Sequence, residues 1–296
     1  MSEPRNTEPC IILCAPNGAR RSKADHPALP ITPDELACCA DSVLKAGASI
    51  LHLHVRNSAG GHTLDVNAYE RAISAIRERV GDDLIIQITT ESVGLYSPDQ
   101  QMAIVRALKP EAVSVALREI LPDPASDQAV KEFFHWMRHE AVFPQVILYD
   151  DRDLMRFEQA LDSGLFGDAA PFVLFVAGKY GATPSPHKDI FAYFADKVDG
   201  LKAIWAVCSF GLDEYGAVSL ATRKNGHIRV GFENNLWRPD GQLAGDNTEL
   251  VARARAAIEA TGRTIATASD VRHQLGQDRV LGRSVQETNG KRSAAV

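Results

Sequence analysis

The run SILHLHVRN (residues 49–57) follows CIILCAP (10–16) and TPDELACCADSVLKAG (32–47), and the order of these three segments decides the fold. CIILCAP is a short apolar run of strand length. Residues 32–47 place apolar side chains at helical spacing, with Thr32 as cap, Glu35 three residues on, and Gly47 as a closing residue. SILHLHV returns to a period of two. Strand, helix, strand is the unit from which parallel sheets are built.

The rhythm continues along the chain. VNAYERAISAIRERVG (66–81) leads to LIIQITT (84–90), and PDQQMAIVRALKP (98–110) to AVSVALRE (112–119). AVKEFFHWMRHEA (129–141) leads to FPQVILYD (143–150), and DLMRFEQALDSG (153–164) to PFVLFVAG (171–178). HKDIFAYFADKV (187–198), KAIWAVCSFG (202–211), EYGAVSLATRKNG (214–226), HIRVGFENN (227–235) and NTELVARARAAIEATG (247–262) complete it. Eight such units within roughly 250 residues predict a closed (β/α)8 TIM barrel of the α/β class. An open doubly wound sheet is the alternative, but no Gly-x-Gly-x-x-Gly follows the first strand. No linker, low-complexity stretch or short-period repeat interrupts the pattern, so residues 1–296 read as one domain with a short N-terminal extension. SDVRHQLGQDR (269–279) reads as a short helix capped by Ser269. The tail from about 283 to 296 reads as disordered.

Bulk properties narrow the function classes. With 45% hydrophobic and 24% charged residues in 296, the chain can bury a large core. A net charge of −6 gives no electrostatic case for nucleic acid or an anionic membrane. The N-terminal MSEPRNTEPC has no signal-peptide core, and no segment is apolar for long enough to cross a bilayer. Cys10, Cys14, Cys38, Cys39 and Cys208 form no CxxC pair and read as reduced packing residues, as in a cytoplasmic protein.

Two imidazoles in an apolar strand ask for a reason. Successive strand residues point to opposite faces, so Ile50, His52, His54 and Arg56 share one face and Leu51, Leu53 and Val55 the other. Barrel chemistry sits at the C-terminal ends of strands. At the end of the last strand, alternation puts Arg229, Gly231 and Glu233 on one face, and closure sets that strand one place from the histidine strand. Two histidines and a carboxylate make a three-ligand site with an open position, suited to Zn²⁺ but also to Fe(II) or Mn²⁺. Spacing alone leaves a second reading open, in which both histidines are ordinary structural residues. The inward Arg229 needs an anion, either a neighbouring carboxylate or a substrate.

Other candidates carry less chemistry. Thr89, Thr90, Glu91 and Ser92 end the third strand and suit either a substrate oxygen or a turn. Asn17, Gly18, Arg20, Arg21 and Lys23 suit an anion subsite or a solvated loop. Glu119, Asp150 and Asp151 read as proton carriers or as caps and ion-pair partners. His26, His62, His135, His139, His187, His227 and His273 read as non-catalytic, and Cys38 and Cys39 as packing.

The runs APNGARRSKADHPALPITPDE (15–35), AGASILHLHVRNSAGGHTLD (46–65), IIQITTES (85–92) and HIRVGFENNLW (227–237) together resemble the β-keto acid cleavage enzymes. The likeness extends from about residue 10 to 265. It implies a zinc-dependent barrel, usually a homotetramer, that converts a β-keto acid and acetyl-CoA to acetoacetate and a new acyl-CoA by retro-Claisen cleavage. In that likeness His52, His54 and Glu233 match the zinc ligands, and Arg229 matches the arginine beside the metal. Thr89 and Ser92 match substrate-holding positions, with Thr90 between them, and Arg20 lies where relatives read the far end of the substrate, beside Asn17. Many relatives carry Asp directly after the ligand Glu, where this chain has Asn234. An amide orients groups but cannot act as a base. Relatives with amino-bearing substrates place acids after the first strand and on the fifth. Here those regions read NGARR and FPQVILYD, which favours a keto acid whose far end is neutral or anionic. A metal hydrolase is a competing reading, weakened because strands five and six end in YDD and AGK without histidine. A non-catalytic binding barrel is a third.

Overall fold

Thr32 and Glu35 do what their spacing predicts. The Thr32 side chain accepts from the Glu35 amide, the Glu35 carboxylate accepts from the Thr32 amide, and helix Pro33–Ala46 runs to Gly47 at φ 117°. The computed structural model describes residues 8–121, 128–167, 170–178 and 203–276. Its parallel strands are β1 (Ile12–Cys14), β2 (Ile50–Leu53), β3 (Ile85–Thr89), β4 (Ala112–Ala116), β5 (Phe143–Leu148), β6 (Phe172–Ala177), β7 (Ile204–Ser209) and β8 (His227–Val230). They close in sequence order, β8 pairing with β1 as Leu13↔Arg229 and β1 with β2 as Leu13↔Ile50. This is a TIM barrel.

Strand alternation sorts the core into two layers. Leu51, Leu53 and Val55 join Ile86, Ile88 and the helix side chains Leu36, Ala40, Tyr69 and Ile76 outside the barrel. Ile11, Leu13, Ile50, Ile85, Phe172, Leu174 and Ala206 fill the lower lumen, with Ala266, Ala268 and Val271 from the C-terminal segment beneath them. Each fully buried Ile, Leu or Phe there stabilises by about 1.5–3 kcal/mol, so the lower lumen anchors the fold. The upper lumen is polar, with His52, Gln87, Gln145 and Arg229 all buried. Arg272 pins the basal helix Ala268–Gln274 by bonding Glu111 and the Asp82 carbonyl.

Four expectations meet a different outcome. First, β2 ends at Leu53, and Val55–Arg56 pairs antiparallel with His62–Thr63 in a small hairpin. Arg56 therefore leaves the histidine face and donates to the Gly18, Gly60 and Arg21 carbonyls. Second, β8 ends at Val230, so Glu233 reaches the mouth from a turn. Third, the basal helix is capped by Thr267, whose side chain accepts from the Asp270 amide, because Ser269 already lies inside the helix. Fourth, Glu119 falls in a short helix, Leu117–Ile120, directly after β4. The expected helix at 187–198 and the tail at about 283–296 lie outside the described residues. No described helix is long and apolar enough to cross a membrane.

Candidate metal centre at the barrel mouth

His52 enters from the last turn of β2, His54 from the residue just past Leu53, and Glu233 from the turn after β8. All three are buried, His52 and His54 at 1% exposure and Glu233 at 6%. His52 Nε2 lies 3.0 Å from His54 Nε2, and each is 3.4 Å from Glu233 Oε2. Among the described residues these three form a group of potential ligands whose atoms all lie within 4.8 Å of one another.

Three features of the side chains fit a divalent cation. Ligands about 2.0–2.1 Å from a tetrahedral metal stand about 3.3 Å apart, close to the spacings found. Glu233 Oε2 is buried without a hydrogen-bond partner, an arrangement that costs free energy unless something cationic lies against it. His52 Nδ1 lies 2.8 Å from Gln87 Oε1. An amide oxygen only accepts, so the proton sits on Nδ1 and the Nε2 lone pair faces the cluster. Burial pushes the His52 imidazole down to about 3, against the raising effect of Glu233, so the ring is the neutral, ligating form. Burial alone would raise the Glu233 carboxyl; the Arg229 guanidinium leads the groups that outweigh it and hold it well below the carboxylate range. Arg229 Nη2 donates to Glu233 Oε1 at 2.9 Å, leaving Oε2 for the centre.

The turn that carries Glu233 is fixed from every side. Gly231 takes φ 134° and ends the strand. Phe232 tucks into an apolar cluster with Leu29, Leu236, Ala244 and Leu250. The Glu233 amide donates to the Ala15 carbonyl, and the Phe232 amide to Asn247 Oδ1. Arg21 donates to the Phe232 and Asn234 carbonyls.

A family model described as beta-keto acid cleavage enzyme matches residues 9–276. The chain belongs to the β-keto acid cleavage enzyme family. The 3-keto-5-aminohexanoate cleavage enzyme of Fusobacterium nucleatum subsp. nucleatum is 30% identical over 275 residues, 90% of this chain and 98% of that one. The 3-oxoadipate:acetyl-CoA acetyltransferase of Cupriavidus necator is 27% identical over 277 residues, 91% of this chain and 95% of that one. The apo structure of ObcA shares the fold with a TM-score of 0.66 at 18% identity, over 84% of this chain and 66% of that one.

The sequence candidates of this β-keto acid cleavage enzyme divide into two groups. His52, His54, Arg229 and Glu233 come together as described, and Asn234 lies next to them, fully buried, with neither side-chain atom hydrogen-bonded. The second group works in the fold. Asn17 Nδ2 ties the loop after β1 to the Pro30 and His54 carbonyls. Lys23 pairs with Glu35 at 2.7 Å. Thr90 Oγ1 donates to the Ser114 carbonyl, and Ser92 Oγ to Glu119. Glu119 also accepts from Gln101, which commits both its oxygens. Asp150 caps the helix Asp151–Asp162 and pairs with Arg118. Thr89 lies on the inward side of β3 above Gln87, its Oγ1 accepting from the Glu91 amide at 3.0 Å. Arg20 is exposed, near enough to Glu91 to oppose the rise that burial gives that carboxyl.

The sequence of the cleavage enzyme did not single out Gln87, Glu214 or Asn247, and Arg21, expected in an anion subsite or a solvated loop, instead holds the Glu233 turn. Gln87 carried a signal, being a polar residue on the inward side of IIQIT, as the histidines are in ILHLH. Glu214, at the start of helix Glu214–Arg223, carried none. It is buried, accepting from Asn235 Nδ2 at 3.0 Å and from the Gly231 amide at 3.4 Å. Burial pushes its carboxyl up to about 8, against the pull of those two bonds. Unfolded, it releases its proton near 4.3. Between these values the native chain holds a proton that the unfolded chain has lost, so stability falls as pH rises. Wild type should lose roughly 2–3 kcal/mol more than Glu214→Gln between pH 6 and 9 in denaturant melts. Equal losses would assign the buried proton elsewhere.

Proposed function

We propose that the chain converts a β-keto acid and acetyl-CoA to acetoacetate and a new acyl-CoA, with zinc held by His52, His54 and Glu233. The observation that carries this reading is the convergence of two imidazoles and a carboxylate beside Arg229 at a buried barrel mouth. Atom balance defines the bonds. C2 of the keto acid gives up a proton and joins the acetyl carbon as the thioester C–S bond breaks; the old C2–C3 bond then breaks as the thiolate takes the C3 acyl group, and C2 takes a proton back. Zinc held there would supply Lewis-acid chemistry toward the keto group. Arg229, locked by its bond to Glu233 Oε1, presents positive charge where negative charge develops. The Asn234 amide, with both polar atoms available in a dry environment, orients substrate oxygens and exchanges no proton. Thr89 keeps its own hydroxyl proton for a substrate oxygen. Arg20, at the exposed rim, meets a far end that is neutral or anionic. Asn17, Thr90 and Ser92 shape the pocket through the backbone and Glu119. The same reading makes the protein a cytoplasmic homotetramer of single (β/α)8 chains.

The test is a panel of β-keto acids with acetyl-CoA and zinc-loaded protein, scored for acetoacetate. About one zinc per chain and CoA-dependent acetoacetate from at least one acid are expected, anionic acids outranking amino-bearing ones. Silence across the whole panel from zinc-loaded protein would remove the reading.

A further inference from the structure

The two histidines are served unequally. His52 Nδ1 has Gln87, and Gln87 Nε2 in turn donates to Gln145 Oε1 at 3.2 Å. His54 Nδ1 is buried with no hydrogen-bond partner. If His54 Nε2 is to face a cation, its proton must sit on Nδ1, and a buried N–H without an acceptor costs about 1–3 kcal/mol. The Glu91 carboxylate faces that nitrogen, with Oε2 3.9 Å from Nδ1. The backbone beneath it is pinned on both sides: the Glu91 amide donates to Thr89 Oγ1, and the Glu91 carbonyl lies 2.9 Å from His62 Nε2. His62 itself stands 5.3 Å from the His54 ring, the two planes tilted by 54°. A rotation of the Glu91 side chain, or one bridging water, completes the bond.

We propose that Glu91 is the outer carboxylate of the centre, accepting the proton-bearing Nδ1 of His54 and so fixing the ring with Nε2 toward the divalent cation. Glu91 is thus a positioning residue, and the inference rests on the metal reading above. Its role is visible without any turnover. Zinc affinity of the full chain is measured by competition with a chromophoric chelator for wild type, Glu91→Gln and Glu91→Ala, with melting of each metal-free protein alongside. Glu91→Ala should bind zinc about 10–100-fold more weakly while its metal-free melting point stays at the wild-type value. Glu91→Gln keeps an oxygen acceptor and should recover most of that loss, which a role in general packing does not predict. If Glu91→Ala fails to fold, Glu91→Gln is read alone, and its few-fold weakening still supports the role. Wild-type affinity in both variants overturns this inference and leaves the metal centre standing. A wild-type chain that binds no zinc overturns both.

Discussion

Glu233→Gln should strip the centre while leaving the barrel standing. The amide oxygen still accepts from Arg229, so the turn keeps its shape, but the carboxylate proposed as the anionic ligand is gone. Zinc content should fall from about one per chain to near zero. On the proposed reaction, removing Lewis-acid stabilisation worth several kcal/mol should lower acetoacetate formation by about 10³-fold or more. Stability should also fall, because Arg229, 4% exposed, loses its ion pair at 2.9 Å, and taking away one partner of a buried pair typically costs about 3–5 kcal/mol. Circular dichroism should be unchanged. The variant separates three readings of the same residues. A metal-dependent cleavage enzyme loses zinc and turnover together. A barrel whose histidines are merely structural keeps both measurements where they were. A non-catalytic binding barrel loses metal with no turnover to lose.

The architecture was legible because it rests on local and periodic signals. Thr32 with Glu35 specified a capping box that forms as written, and the two-residue period of ILHL placed Leu51 and Leu53 against the helices and His52 inside. The triad was legible for the same reason, since barrel closure is all that is needed to bring β8 beside β1 and β2. What strand periodicity does not hold is the point at which a strand stops. His54 and Glu233 both lie beyond the last paired residue of their strands. They reach the centre through a break after Leu53 and a turn after Val230, and neither break alters the hydrophobic pattern. Nor does periodicity tell a working loop residue from an idle one. Arg20, Arg21 and Lys23 look alike in sequence, yet Arg21 clamps the Glu233 turn and Lys23 holds a helix cap. Arg21 finds its partners more than two hundred residues away, a distance that local pattern does not reach.

The Glu233 turn gives the second large effect, through a residue with no side chain. Gly231→Ala should destabilise the protein severely and empty the centre, although no ligand is touched. At φ 134° an L residue is strained wherever it sits. Space is lacking too, for an added Cβ would stand 2.4 Å from the Ala15 carbonyl oxygen. That oxygen is backbone in the loop leaving β1 and cannot yield as a flexible side-chain tip would, because it accepts the Glu233 amide at 3.0 Å. Relief must come from moving the turn itself. Moving it breaks the hydrogen bonds donated by the Phe232 and Glu233 amides, withdraws Phe232 from its apolar cluster, and carries Glu233 Oε2 away from both imidazoles. Strain and lost packing together should cost about 3–5 kcal/mol, which for a chain of this length lowers the melting point by at least about 5 °C. Zinc affinity should drop by more than tenfold in the same variant. A Gly231→Ala protein that melts and binds zinc like wild type would mean that the turn does not fix Glu233, and that the close approach of β1 to β8 is not what builds the site.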